Sequence, residues 1–247
     1  MKSLVLATGA ALLFLSPSFS SAAAAPKVAR SYNWSGYVAK GGSYTHIAGS
    51  WTVAPGTTTG NALTANAAWI GIGGFDGTSN LIQTGTRTLE WNGQVTYQAW
   101  YELIPAPPVP FSVTVGPNDT VSASISETSK NVWTITFTNV TSGESAAVRV
   151  PYVSHKSSAE WIVERPSSSG TLVALTPFNA FVFSGLSAVK NGKAVTPVTA
   201  AAKKLLLIER NGTTLLTPSA LGKNGGSFTI ARNASDTLGI PRLLAIR

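Results

Sequence analysis

The sequence predicts an all-β protein folded as a β-sandwich of the jelly-roll type, and three features predict it. Short runs rich in Val, Ile, Thr, Phe and Trp recur between turn residues along most of the chain. A helical look is confined to one stretch, "TAAAKKLLLIER", so there are no crossover helices to join parallel strands. Charged residues make up 11% of the chain, against roughly 25% in an average soluble protein. The surface must therefore be built from Ser, Thr, Asn and Gly, as in a sheet protein with one solvated face.

Residues 1–24 read as a signal peptide, with a basic start at Lys2, an apolar stretch from Leu4 to Leu15 and a tail of small residues. The apolar stretch falls well short of the roughly 20 residues a membrane-spanning helix needs. Cleavage is expected just before Ala25, leaving residues 25–247 as one secreted, extracellular domain with no membrane partner. Strands are then expected at "SGYVAK", "HIAGSWTV", "AAWIGIGG", "QVTYQAWYELI" and "FSVTVGPNDTVSASIS". In "VWTITFTNVTSGESAAVRV", two alternating runs flank Thr-Ser-Gly-Glu, which reads as a hairpin. "AEWIVE" and "SGTLVALTPFNAFVFSGLSAV" complete the series. "GTTTGNALTAN" and "PAPPVP" are expected to be loops, the second being too proline-rich to pair as a strand. No internal repeat or linker divides the chain after residue 24.

Composition removes several kinds of chemistry. With no cysteine there can be no disulfide, thiolate nucleophile, zinc–cysteine site or iron–sulfur cluster. His46 and His155 are the only histidines, and neither lies in a His-Glu-x-x-His motif. A Gly-x-Ser-x-Gly elbow is absent, and the lone Asp-Gly, Asp76-Gly77, reads as a turn. The 18 Lys and Arg against ten Asp and Glu give a net charge of +8. They are scattered singly, apart from Lys203 and Lys204, so no nucleic-acid partner is expected. So few carboxylates leave little charge to lose on acidification, which favours acid tolerance.

Strand alternation then singles out a face. In "AEWIVE", Ala159, Trp161 and Val163 point one way, while Glu160, Ile162 and Glu164 point the other. The apolar trio faces the core, so both glutamates lie on the opposite face, with Cα atoms about 13 Å apart. Each therefore needs a partner from another strand. "QAWYELIP" repeats the arrangement with Gln98, Trp100 and Glu102 on one face. Trp69 of "AAWIGIGG" and Gln83 of "NLIQTGT" supply further groups near strand ends. Trp, Gln and Glu on neighbouring strands form a substrate groove if the sheet is bent; the alternative is that Glu102, Glu160 and Glu164 are hydrogen-bonded surface acids and the tryptophans are packing.

At these residues the sequence resembles the glutamic peptidases, the eqolisin family of secreted acid endopeptidases. The match runs in order through "NWSGY", "AAWIGIGG", "LIQTGT", "YQAWYELIP" and "AEWIVE". The resemblance implies two bent antiparallel sheets, and it makes Gln83 and Glu164 the catalytic pair. It places Trp34, Trp69, Trp100 and Glu102 in the substrate groove and gives Glu160 a supporting role. It implies polypeptide substrates, an acidic working pH, a monomer, and no metal or other cofactor. Positions that are acidic in the fungal members are Gly73 and Arg87 here, and Arg87 is expected to lower the pKa of a nearby carboxylate. The absence of cysteine points to a bacterial member.

Two other readings use the same groove. A concanavalin-like jelly-roll glycoside hydrolase would take Glu102 and Glu164 as acid and nucleophile. A carbohydrate-binding module would use Trp34, Trp69 and Trp100 as a platform. Neither has an obligatory use for Gln83, which makes that side chain the discriminating one.

Overall fold

Apolar side chains at alternate positions give each strand one face to bury, and two such sheets bury theirs against each other. The computed structural model describes residues 28–233, except 61, 76, 78, 79 and 169. The expected signal peptide, residues 1–24, lies outside the described residues. The described regular elements are all strands. They are β1 (Val28–Ser31), β2 (Trp34–Lys40), β3 (Tyr44–Thr52), β4 (Thr64–Gly73), β5 (Leu81–Trp91) and β6 (Gln94–Leu103). Next come β7 (Val109–Pro110), β8 (Thr120–Ser129), β9 (Val132–Asn139), β10 (Ser145–Pro151), β11 (Ser158–Glu164) and β12 (Ser167–Ser168). The last six are β13 (Thr171–Leu172), β14 (Ala180–Lys190), β15 (Lys193–Val195), β16 (Lys203–Ile208), β17 (Thr214–Pro218) and β18 (Phe228–Arg232).

The hydrogen-bonded order is β10-β9-β8-β3-β14-β18-β17-β16-β2-β11-β4-β5-β6-β7. Neighbours along it run antiparallel, while β1 adds to β16 in parallel. The path doubles back into two facing sheets. Trp51 of β3 donates through Nε1 to Thr86 Oγ1 of β5 at 2.9 Å, and Trp161 of β11 donates to the Ala48 carbonyl of β3 at 3.0 Å. Between the sheets lie Tyr37, Ile47, Ile70, Trp133, Phe137 and Phe183, all fully buried. The indole bonds matter because a buried N–H without a partner would cost roughly 1–3 kcal/mol.

The hairpin at Thr-Ser-Gly-Glu forms as expected, with β9 and β10 paired from Thr138 and Ser145 outward. Two expectations are corrected. "TAAAKKLLLIER" is not helical: Lys203–Ile208 is strand β16, held between β2 and β17, with Leu205, Leu207 and Ile208 buried. Pairing on both sides overrides a weak local helical preference. "PAPPVP" is not wholly a loop. Val109 and Pro110 pair with Tyr101 and Trp100 as a two-residue edge strand, where the missing proline N–H costs no ladder bond. The described residues of "GTTTGNALTAN" are loop up to Leu63. The loop is pinned by Glu90, whose carboxylate accepts from the Thr59 amide and, at 2.8 Å each, from the Thr59 and Thr64 hydroxyls.

Candidate active site

Strands β2, β11, β4, β5 and β6 lie side by side, and their second face looks away from the core. The alternation read in "AEWIVE" and "QAWYELIP" holds. Ala159, Trp161, Val163, Ala99, Tyr101 and Leu103 belong to the core cluster. Trp69, Trp100, Ile162, Ala67, Val38, Leu81 and Leu205 form a separate buried cluster on the other face, with Trp34 packed against it. That second cluster is the floor of the site.

The registers divide this floor into three rows. The middle row runs Gly36–Ile162–Trp69–Gly85–Trp100. Its glycines make the row possible. A Cβ at Gly85 would sit 2.5 Å from Trp69 Cβ and collide with the Ala68 carbonyl. One at Gly36, where φ is +149°, would run into the Trp161 carbonyl oxygen. Large indoles thus fit only because β2 and β5 contribute no side chain there. Nothing in the sequence-level reading had marked these two glycines; the alternation of Gly with Trp across "NWSGY", "AAWIG" and "QTGT" was the available signal.

A second row runs Val38–Glu160–Gly71–Gln83–Glu102, and a third Trp34–Glu164–Ala67–Arg87–Gln98. All six expected site residues, Trp34, Trp69, Gln83, Trp100, Glu102 and Glu164, therefore share one face. Gln83 is almost fully buried, and its Nε2 donates to Glu102 Oε2 at 2.5 Å. Glu102 was expected only as a groove residue; the β5–β6 register sets it directly beside Gln83. An ionised carboxylate only accepts hydrogen bonds, so it fixes the amide with its NH2 toward Glu102. Gln83 Oε1 is buried and has no hydrogen-bond partner.

Glu164 is held from the opposite side of the Trp row. Trp69 Nε1 donates to its Oε2 at 2.7 Å, and the Trp34 ring meets the Trp69 ring edge to face, with centroids 5.0 Å apart. Gln83 and Glu164 do not bond each other; the row containing Trp69 lies between theirs. Burial pushes the Glu164 carboxyl up to about 7, and the negative charge of Glu102 adds to the rise. Trp69, Trp34 and Asn33 pull the other way through N–H groups. The Trp69 bond is short and direct, whereas Trp34 Nε1 is buried outside bonding geometry and acts at longer range. Glu102 is likewise raised by burial, opposed by its bond from Gln83. Arg87, expected to lower the pKa of a nearby carboxylate, is exposed and is not among the groups that shift Glu164 or Glu102. Glu160 is fully buried in the row of Gln83, one strand beyond Gly71.

A raised carboxyl, a fixed neutral amide and an apolar aromatic floor make a site suited to proton transfer and oxyanion stabilisation. Comparison with known proteins identifies the family. Aspergillopepsin-2 of Aspergillus niger is 30% identical over 216 residues, which span 78% of this chain and 75% of that protein. The crystal structure of aspergilloglutamic peptidase from Aspergillus niger superposes with a TM-score of 0.61 at 31% identity, covering 69% of this chain and 99% of that one. Scytalido-glutamic peptidase, solved with a peptide-based transition state analog, shares the fold, with a TM-score of 0.70 at 24% identity over 82% of this chain and 98% of that one. Residues 32–231 match the model of the Peptidase A4 family, and with that match spanning every row of the site, the chain belongs to this family of peptidases.

Proposed function

We propose that this peptidase is a secreted, single-domain, monomeric endopeptidase in which Glu164 and Gln83 act together on one water molecule, with activity that rises from acidic solution toward neutrality. The supporting observation is that both side chains stand on the same outward face of one sheet, on strands separated only by β4. Glu164, as carboxylate, takes a proton from the water, and the water oxygen bonds to the scissile carbonyl carbon. The second N–H of Gln83, not engaged by Glu102, donates to the oxyanion that develops. Glu164 then passes its proton to the departing nitrogen as the C–N bond breaks, giving a free amine and a carboxylic acid. Because Trp69 occupies Oε2 of Glu164, Oε1 is left to handle the proton. Trp34 and Trp100 flank the reacting centre and pack against substrate side chains. Purified mature protein incubated with denatured casein from pH 2 to 7, with pepstatin present, should cleave it. Absence of cleavage at every pH, with hydrolysis of a glycan instead, would overturn the proposal.

The charge state of Glu164 sets the pH dependence. A base raised to about 7 loses its charge as pH falls, so kcat/KM declines on the acid side with a slope approaching one. The Glu102 charge contributes to that rise, so removing it lowers the Glu164 pKa. Glu102→Gln should therefore displace the acid limb of the kcat/KM profile to lower pH. A profile unmoved, or moved upward, would show that Glu164 does not govern the limb.

A further inference from the structure

Glu164, Glu102 and Gln83 are already engaged in the proposed site. Arg87 is not. It sits on the outward face of β5, in the third row, opposite Ala67 on one side and Gln98 on the other. Both neighbours are uncharged, and Ala67 is too small to cover it. Arg87 is exposed, and among the described residues no ion pair or hydrogen bond engages it. Glu164 lies in the same row one strand beyond Ala67, so the two Cα atoms are about 10 Å apart at the usual strand spacing. Arg165, which follows Glu164 in the chain, is by contrast already occupied, donating to Glu209 at 2.8 Å and to the Val173 carbonyl at 2.9 Å.

An extended polypeptide has side chains about 3.3 Å apart per residue along its length. Arg87 lies four residues from Gln83 along β5, about 13 Å, so a chain with its scissile bond between Gln83 and Glu164 that runs toward the third row brings a residue within a few positions of the cut to Arg87. An arginine fork with no internal partner binds a carboxylate in two-point geometry. We infer that Arg87 makes this cleft selective for polypeptides carrying an acidic side chain close to the scissile bond. The inference rests on the proposed peptidase site and adds a substrate class to it. The partner charge missing from the protein is supplied by the substrate.

The test uses matched peptides that differ only in carrying Glu or Gln near the cut, one series on each side of it. They are assayed at pH 6, where a substrate glutamate is ionised. Wild type should favour the Glu peptide of one series by roughly fivefold in kcat/KM at low salt, as expected for a partly exposed charge pair. The preference should shrink at high salt. Arg87→Gln should bring the ratio to unity, Arg87→Glu should invert it, and Arg87→Lys should retain part of it. Each ratio is internal to one variant, so a change in total activity does not mimic the effect. The same ratio in wild type and Arg87→Gln overturns the inference while leaving the peptidase site standing. No cleavage of any peptide by wild type takes down both.

Discussion

Glu164→Gln is expected to lower kcat on peptide substrates by roughly a thousandfold or more, within the range of a lost general base compounded by a lost proton donor. The substitution keeps the volume and lets Trp69 Nε1 still donate to an oxygen at this position. What disappears is the ability to take a proton and give it back. Stability provides the control. Because the Glu164 carboxyl is raised in the folded protein, ionising it works against folding as pH rises past the unfolded-state value toward about 7. A neutral amide removes that penalty, so the Tm of the variant at neutral pH should equal or exceed that of wild type. A variant inactive because it is unfolded would show the opposite.

Gln83→Ala is expected to cost roughly a hundred- to a thousandfold in kcat, the measured scale for deleting one oxyanion donor. Two effects contribute. The amide proposed to stabilise the developing charge is gone, and Glu102, raised by burial, loses the donor that held it at 2.5 Å. Gln83→Glu separates these effects. Near neutral pH it places a second acceptor beside Glu102 and offers no donor, so activity is lost. At a pH low enough to protonate residue 83 a donor returns, so activity relative to wild type at the same pH rises in part. Wild-type glutamine does not titrate, and this is the physical reason for an amide rather than a second carboxyl at that position. Full activity of Gln83→Ala on casein would remove the amide from the mechanism.

The site was legible in the sequence where one local rule sufficed. Period-two alternation placed Glu160, Ile162 and Glu164 opposite Ala159, Trp161 and Val163, and Gln98, Trp100 and Glu102 opposite Ala99, Tyr101 and Leu103. What remained hidden depends on register between strands distant in sequence. The bond from Gln83 to Glu102 arises because β5 and β6 pair at those two residues. A one-residue slip would have turned Glu102 to the core. The glycines at 36 and 85 carry no chemistry of their own, and only the close approach of Trp69 and Trp161 explains them. Strand β16 was obscured for a related reason. Lys and Leu in "KKLLLI" suit a helix as well as a strand, and the choice is made by β2 and β17 on either side. The environment of Arg87 followed the same pattern. Its neighbours in the chain gave no hint that Ala67 and Gln98 would leave it without a counter-charge.

The most direct test of the account is a crystal structure of Glu164→Gln bound to an uncleaved peptide substrate. The account predicts the scissile carbonyl oxygen about 3 Å from Gln83 Nε2, with a water molecule touching both Gln83 and residue 164 on the face that carries Trp69. A scissile bond seated away from Gln83, with its carbonyl bound by another donor, would contradict it.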